Sequence, residues 1–174
     1  MHETQESITQ WASETFGASR SLYRLINRAA EELIELQTAA ELTPEKGPEE
    51  AADTMIVLAR VARRLNVELI FDEAQLKNTH TEAHALTHIG AALVATGYLS
   101  VFASRFEHEQ DPSMDIDSLE TLSATQIHTV VMRLAAYCRQ AGTTLESEID
   151  KKMAANRHRT WNLQGDGTGY HAGA

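Results

Sequence analysis

The chain has 174 residues, of which 43% are hydrophobic and 23% charged, which suffices for one domain with a substantial core. Its formal net charge of −10 argues against a broad nucleic-acid-binding surface, although a single basic cluster would suffice for one nucleotide. We find no run of about 18 apolar residues and no basic stretch at the N-terminus, so neither a transmembrane helix nor a signal peptide is expected. The expectation is a cytoplasmic protein that binds neither a membrane nor a nucleic-acid polymer.

Apolar residues recur at helical spacing along most of the chain, and no useful strand-type alternation is present, so the sequence predicts an all-α fold. A short helix around residues 7–12 is expected to end near Phe16–Gly17. A strong helix over 21–42 is followed by a proline-containing turn and a helix over 49–66. Further helices are predicted over about 68–78, about 80–106, 119–141 and from Thr144 to about Arg159, with a loop at 111–115. Cys138 lies in an apolar helical run, which predicts a buried structural thiol.

Two pairs of carboxylates stand on the helices that this turn joins. Glu32 and Glu35 share one helix face, as do Glu50 and Asp53, because residues three apart point the same way. Glu32 falls within the apolar stripe of its helix, where an uncompensated charge is unfavourable. The short turn makes the two helices antiparallel neighbours and brings both pairs to the same height. Four converging carboxylates predict a site for a hard divalent cation, whereas two ordinary acidic helix faces are the alternative.

Three histidines, His80, His84 and His88, recur every fourth residue in the predicted helix over about 80–106. Two histidines at this spacing can bind zinc, but the His-Glu-x-x-His pattern is absent and the neighbouring residues are Thr, Glu and Ala. We therefore expect a polar helix face rather than a metal site.

The densest basic segment lies near the end of the chain. Lys152 and Asn156 are four residues apart and share a helix face, with Arg159 three residues further on. Ammonium and amide donors on one face can hold phosphate oxygens, while a cationic last turn that complements the helix dipole is the alternative. Beside an acidic metal site in an acidic protein, the segment favours a triphosphate ligand.

Two aromatic residues, Trp11 and Phe16, lie in and directly after the first predicted helix. They can close the end of a helical bundle, as large apolar side chains often do. Alternatively, one of them stacks on a nucleobase, because aromatic rings offer a flat apolar face.

In this order, these motifs resemble the MazG-like all-α nucleoside triphosphate pyrophosphatase superfamily. The metal signature of that family, Glu-Glu-x-x-Glu followed by Glu-x-x-Asp, is matched by Glu31 to Glu35 and by Glu50 to Asp53. Its dATP/dGTP diphosphohydrolase branch, which includes phage enzymes of the MazZ group, supplies three further motifs. Residues 10–17, 152–161 and 165–171 resemble its Trp…Thr-Phe-Gly, Lys-Met-x-x-Asn-Arg…Trp and Asp-Gly…His motifs. The matches cover residues 8–65 and 143–172. Relative to the compact family pattern, about residues 67–140 form an insertion.

The resemblance implies one all-α domain over residues 1–174, a helical bundle that assembles as a homodimer or homotetramer. It implies bound Mg²⁺, for which Mn²⁺ can substitute, and its metal ligands would be Glu32, Glu35, Glu50 and Asp53. Glu35 would accept the proton of an attacking water, and Lys152 would stabilise the charge of the transition state. The side chains assigned to the substrate are Trp11, Arg28, Lys152, Asn156 and Arg159.

The implied reaction is metal-dependent hydrolysis of a purine (deoxy)nucleoside triphosphate between its α- and β-phosphates, giving the monophosphate and pyrophosphate. We expect dGTP or GTP as the preferred substrate and dATP next, with supply of dGMP for modified phage DNA as one use. The sequence leaves two alternatives open. One is a broad or pyrimidine-specific house-cleaning pyrophosphatase, because a few pocket contacts decide base selection. The other is a non-enzymatic helical interaction protein whose acidic side chains only face solvent.

Overall fold

The computed structural model describes residues 2–70, 73–76, 83–109, 116–165 and 167–171, and this part of the chain is predominantly helical, as predicted. The helices are α1 (Gln5–Phe16), α2 (Leu22–Leu42), α3 (Gly47–Arg64), α4 (Glu73–Leu76), α5 (Ala85–Ser104), α6 (Ile116–Gln140) and α7 (Leu145–Asn156). A 3₁₀ turn (Pro44–Lys46) precedes α3, a π-helical turn (Arg105–Glu109) continues α5, and strands β1 (Trp161–Leu163) and β2 (Gly169–His171) follow α7. The predicted loop at 111–115, His80, Asp166 and the side chain of His171 lie outside the description.

Four long helices form a bundle in which each lies beside two others. Helix α2 packs against α3 and α5, and α6 packs against α5 and α3, while α1 and α7 lie on the outside of α3. Their buried side chains form one hydrophobic core that includes Ile8, Leu33, Met55, Leu99, Leu134 and Ile149. Residues 67–140, predicted as an insertion, therefore contribute α5 and α6 and with them half of the bundle. Cys138 is buried in this core, as predicted.

Side-chain caps explain where the helices that carry the site begin and end. Ser21 accepts a hydrogen bond from Arg24 N at the start of α2, and Thr144 accepts one from Ser147 N at the start of α7. Helix α1 ends at Gly17, whose φ of 77° is readily adopted only by glycine. The beginnings of α2 and α7 and the end of α1 agree with the prediction.

The helix predicted over 68–78 is wrong at its beginning. Gln5 holds residues 67–69 in a non-helical conformation, because its Nε2 donates to Val67 O at 2.8 Å and its Oε1 accepts from Leu69 N at 2.9 Å. Val67 and Leu69 are buried, so their side chains fix the segment further. Helix is described only for Glu73–Leu76 in this region.

The helix predicted over 80–106 begins at Ala85 within the described residues. His84 has a ψ of 146° and caps α5 by accepting a hydrogen bond from Leu86 N, so it precedes the helix. His88 is buried in the bundle, and burial lowers the pKa of its imidazole. The prediction of a polar face is therefore wrong for His88. His84 precedes the helix, so the spacing of four residues does not place it on the same helix face as His88.

The last helix ends at Asn156 rather than near Arg159, and the tail forms a hairpin that was not predicted. Strands β1 and β2 pair antiparallel, with Trp161 opposite His171 and Leu163 opposite Gly169. Gly167 has a φ of 86°, and a β-carbon there would lie 2.5 Å from Ser19 Cα. The hairpin end thus packs directly on the segment between α1 and α2.

Within the described residues, one helix is long and apolar enough to span a membrane by length and composition alone. It runs over Ala85–Glu107 with a mean hydropathy of 1.5, and a third of its most apolar window is buried inside the protein. The expectation that the chain has no apolar stretch long enough to span a membrane is therefore corrected for this helix. Core helices of globular proteins meet the same criterion, so the expected cytoplasmic location stays a prediction.

Candidate metal and phosphate site

One cleft brings together all the side chains predicted for the site. It has a volume of about 340 Å³ and lies between α2, α3, α7 and the hairpin. Its lining includes Trp11, Arg28, Glu32, Glu35, Glu50, Asp53, Lys152, Asn156 and Arg159. A larger cleft of about 750 Å³ beside the N-terminus contains none of them. The smaller cleft is therefore the candidate site, and its size is typical of small-molecule pockets, which span roughly 300–1,000 Å³.

Three carboxylates converge in this cleft. Glu32, Glu35 and Glu50 each present one oxygen, and these oxygens lie within 4.8 Å of one another. Among the side chains that the structure describes, this is the one group of three or more acidic, histidine or cysteine residues close enough to share a metal. The 3₁₀ turn reverses the chain between α2 and α3 and so brings the three together. A donor set made of oxygen alone fits a hard divalent cation, and its chemistry suits Mg²⁺ and Mn²⁺ alike.

The most buried member of the group carries the largest electrostatic penalty. Glu32 is only 6% exposed. The pKa of Glu32 is raised to about 8, first by burial and then by the charge of Asp53, while the charge of Arg28 acts against both. Burial likewise raises the pKa of Glu50, and Asp53 adds to that shift. The cluster therefore holds its negative charge at a penalty that a bound cation would relieve.

Arg28 lies one turn before Glu32 on α2 and contacts three acids. Its Nη2 is 2.5 Å from Glu32 Oε1, and its Nη1 is 2.8 Å from Glu31 Oε2 and 3.9 Å from Glu35 Oε1. Burial lowers the pKa of Arg28, but Glu32, Glu31 and Glu35 together outweigh that effect, and the net shift of the pKa is upward. Arg28 is thus a fixed positive charge at the edge of the carboxylate cluster, and its assignment to the substrate stays a prediction.

Asp53, predicted as the fourth metal ligand, is held by a lysine. Its Oδ2 lies 2.5 Å from Lys152 Nζ, and Lys152 is 7% exposed. Burial raises the pKa of Asp53, whereas Lys152 lowers it. Because α7 packs on α3, this ion pair joins the late basic segment to the acidic helix. Asp53 stands apart from the group of three and remains a predicted ligand.

Glu49 is a residue of the site that the sequence analysis missed. Its Oε1 accepts a hydrogen bond from Lys152 Nζ at 2.7 Å and lies 4.0 Å from Arg159 Nη2. The hydrogen bond from Lys152 lowers the pKa of Glu49. Glu49 stands four residues before Asp53 on the same helix face, and this spacing was the available signal.

Arg159, the second basic residue of this segment that was predicted for the site, is also held in place. Arg159 lies beyond the end of α7, and its Nη1 donates to Asn156 Oδ1 at 3.0 Å. Asn156 is buried, so its side-chain oxygen holds the guanidinium group of Arg159 at the cleft. Lys152 and Arg159 together place two positive charges opposite the carboxylate cluster.

Three aromatic rings close one end of the cleft. Trp11 and Phe16 pack edge to face with centroids 5.4 Å apart, and Trp161 of β1 lies 5.8 Å from Trp11 and 4.9 Å from Phe16. Trp161 Nε1 donates to Asn156 O at 3.3 Å, which ties this aromatic cluster to α7. All three rings line the cleft, so they both close the end of the bundle and border the site.

Comparison of the chain with protein-family models, with curated proteins and with solved structures finds no match in any of the three.

Proposed function

We propose that the protein is a metal-dependent nucleoside triphosphate pyrophosphohydrolase of the MazG-like type. It would hydrolyse a purine deoxynucleotide, dGTP before dATP, to the monophosphate and pyrophosphate. The single observation that carries the proposal is the meeting of Glu32, Glu35 and Glu50 in a cleft that also holds Lys152 and Arg159. Carboxylates for a divalent cation and cations for phosphate oxygens are the two needs of a metal-bound triphosphate.

The metal would be held by Glu32, Glu35 and Glu50, with Asp53 beside them. When bound, Mg²⁺ or Mn²⁺ would neutralise phosphate charge and lower the pKa of the attacking water. Glu35 is the most accessible of the three, with 56% of its side chain exposed, and it is our candidate for the proton acceptor. In the proposed step, a water oxygen bonds to the α-phosphorus, its proton passes to Glu35, and the bond to the pyrophosphate group breaks.

The other side chains would bind and orient the substrate. Lys152 and Arg159 would donate to phosphate oxygens, and Lys152 would stabilise the charge that grows on the leaving pyrophosphate. Arg28 would contribute a further positive charge from the opposite side of the cleft. Trp11, backed by Phe16 and Trp161, would stack on the nucleobase.

The test is a panel of the eight common dNTPs and NTPs with Mg²⁺ in water labelled with ¹⁸O. We expect the monophosphate and pyrophosphate as products, the label in the monophosphate, and the highest kcat/KM for dGTP. Label in the leaving phosphates, or release of orthophosphate, would contradict attack at the α-phosphorus. Equal turnover of pyrimidine and purine nucleotides would favour the broad house-cleaning alternative.

A further inference from the structure

Apolar side chains cover the outward face of α5. Val94, Tyr98 and Val101 are 61%, 55% and 50% exposed, and Gly90 and Gly97 lie exposed on the same side of the helix. A β-carbon on either glycine would meet no atom within 4 Å, so the stripe is open to solvent along its length. Single exposed apolar side chains are ordinary, but a continuous stripe of them marks a contact surface.

Helix α5 is apolar on all sides, yet the protein covers only part of it. Its inner face buries Ile89, Ala92 and Leu99 against α2 and α6. No Asp, Glu, Lys or Arg occurs between Ala85 and Ser104. A helix that is apolar all round is normally buried on every side. A further surface should therefore cover the outward face.

We propose that the outward face of α5 is the interface between two copies of this chain, packed antiparallel about a two-fold axis at Val94. Residues equally far from Val94 then oppose each other. Gly90, which has no side chain, meets the large side chain of Tyr98 of the partner subunit. Thr87 meets Val101 of the partner subunit, and these two side chains have nearly the same size. The match of small Gly90 to large Tyr98, repeated on both sides of the axis, is what a self-complementary interface requires.

Charge favours a second copy over other occupants. Molecules with a net charge of −10 repel each other except through an uncharged face, and α5 is such a face. A helix that binds a membrane surface usually carries Lys and Arg that attract anionic lipids, and α5 carries none. A strongly basic partner would find no complementary charge on this stripe. An uncharged copy of the same stripe is the best chemical match.

The available area is of the right order for a dimer. The helices that flank α5 also carry exposed apolar side chains, Ile34 on α2 and Met132 on α6. A 20-residue helix is about 30 Å long, and three neighbouring helices present a face of several hundred Å². A standard interface buries about 800 Å² on each partner. The interface lies on α5 and is independent of the chemistry in the cleft.

The first test is the mass of the full chain in solution, measured by light scattering at about 20 µM. We expect at least twice the monomer mass of 19.3 kDa for the wild type. Val94→Glu places two carboxylates at the axis and should halve the mass. Ser13→Glu, which adds the same negative charge at an exposed position of α1, should leave the mass unchanged. A monomeric wild type, including one that floats with phosphatidylcholine–phosphatidylglycerol vesicles, overturns the proposal.

The second test is a cross-link that does not depend on the mass. With the axis at Val94, Val94→Cys brings two thiols together, and mild oxidation should give a covalent dimer on a non-reducing gel. Gly90→Cys is the matched control, because its two thiols lie about eight residues apart along antiparallel helices, roughly 12 Å, beyond the reach of a disulfide. A dimer mass retained in Val94→Glu, or cross-linking as efficient at residue 90 as at 94, contradicts this interface.

Discussion

Lys152 Nζ lies 2.5 Å from Asp53 Oδ2, and this contact ties α7 to α3 inside the candidate cleft. Both groups are largely removed from water, so each provides the main neutralising charge of the other. The same ammonium donates to Glu49, which stands at the mouth of the cleft. One lysine thus connects the predicted phosphate-binding segment to the acidic helix.

The first prediction concerns the stability of this ion pair. Lys152→Met should lower the free energy of unfolding by roughly 3 kcal/mol, because it leaves a buried carboxylate without a partner. Lys151→Met is the matched control: Lys151 is 65% exposed beside Glu148, and its loss should change stability by less than about 1 kcal/mol. Urea denaturation without metal measures both. Equal stability of the two variants would show that the pair does not form.

The second prediction separates positioning from stability. Glu49→Gln removes a charged anchor of Lys152, and we expect about tenfold slower pyrophosphate release with little change in thermal stability, since Glu49 is half exposed. Glu45→Gln, on the exposed 3₁₀ turn, is the control and should keep wild-type activity. An unchanged rate for Glu49→Gln would remove this residue from the site.

The third prediction concerns pH and Glu32, whose pKa is about 8 in the folded protein against an ordinary value of 4.5. A carboxyl group with a raised pKa stabilises the folded state below its unfolded pKa, and that contribution is lost as pH rises towards 8. Without metal, the wild type should therefore lose stability relative to Glu32→Gln between pH 5 and 8. Thermal melts in EDTA across this range measure the difference. Parallel curves for the two proteins would rule out the raised pKa.

Metal binding should reverse this trend. The ionised carboxylate is the form that binds a cation, so Mg²⁺ should raise the melting temperature of the wild type more at pH 8 than at pH 6. Glu32→Gln should show a smaller increase at both pH values. The same increase in wild type and variant would mean that Mg²⁺ binds elsewhere.

The fourth prediction uses tryptophan fluorescence. The chain has two tryptophans, Trp11 and Trp161, and both line the cleft. Stacking of a nucleobase beside them should quench the emission, and the Glu50→Gln variant would allow binding to be followed without turnover. Trp11→Phe should weaken nucleotide binding several-fold. Binding detected by equilibrium dialysis with unchanged fluorescence would place the base outside the aromatic end of the cleft.

The sequence predicts those parts of the site that depend on residues close to one another along the chain. Glu32 within an apolar stripe, and the short turn before Glu50, are local features, and the structure brings both residues together. The contact of Glu49 with Lys152 joins residues 103 positions apart and depends on how α7 packs on α3. Periodicity carries no information on such a contact.

The same distinction explains the errors in the fold. Residues 67–69 have helix-forming neighbours, but hydrogen bonds from distant Gln5 hold them in a non-helical conformation. The hairpin strands are three residues long, too short for a visible alternation, and close packing of Gly167 on Ser19 positions their end. Long-range contacts decided both segments.

The central claim is tested most directly by pyrophosphate release from dGTP, measured with Mg²⁺ and with EDTA for the wild type, Glu50→Gln and Glu41→Gln. Glu41 is exposed on α2 and does not line the cleft. Glu41→Gln should therefore keep the fold while it removes one negative charge, as Glu50→Gln does. We predict Mg²⁺-dependent release by the wild type and Glu41→Gln, and at least a hundredfold lower rate for Glu50→Gln. Release that is independent of Mg²⁺, or equal in the two variants, would contradict a metal-bound triphosphate at this carboxylate cluster.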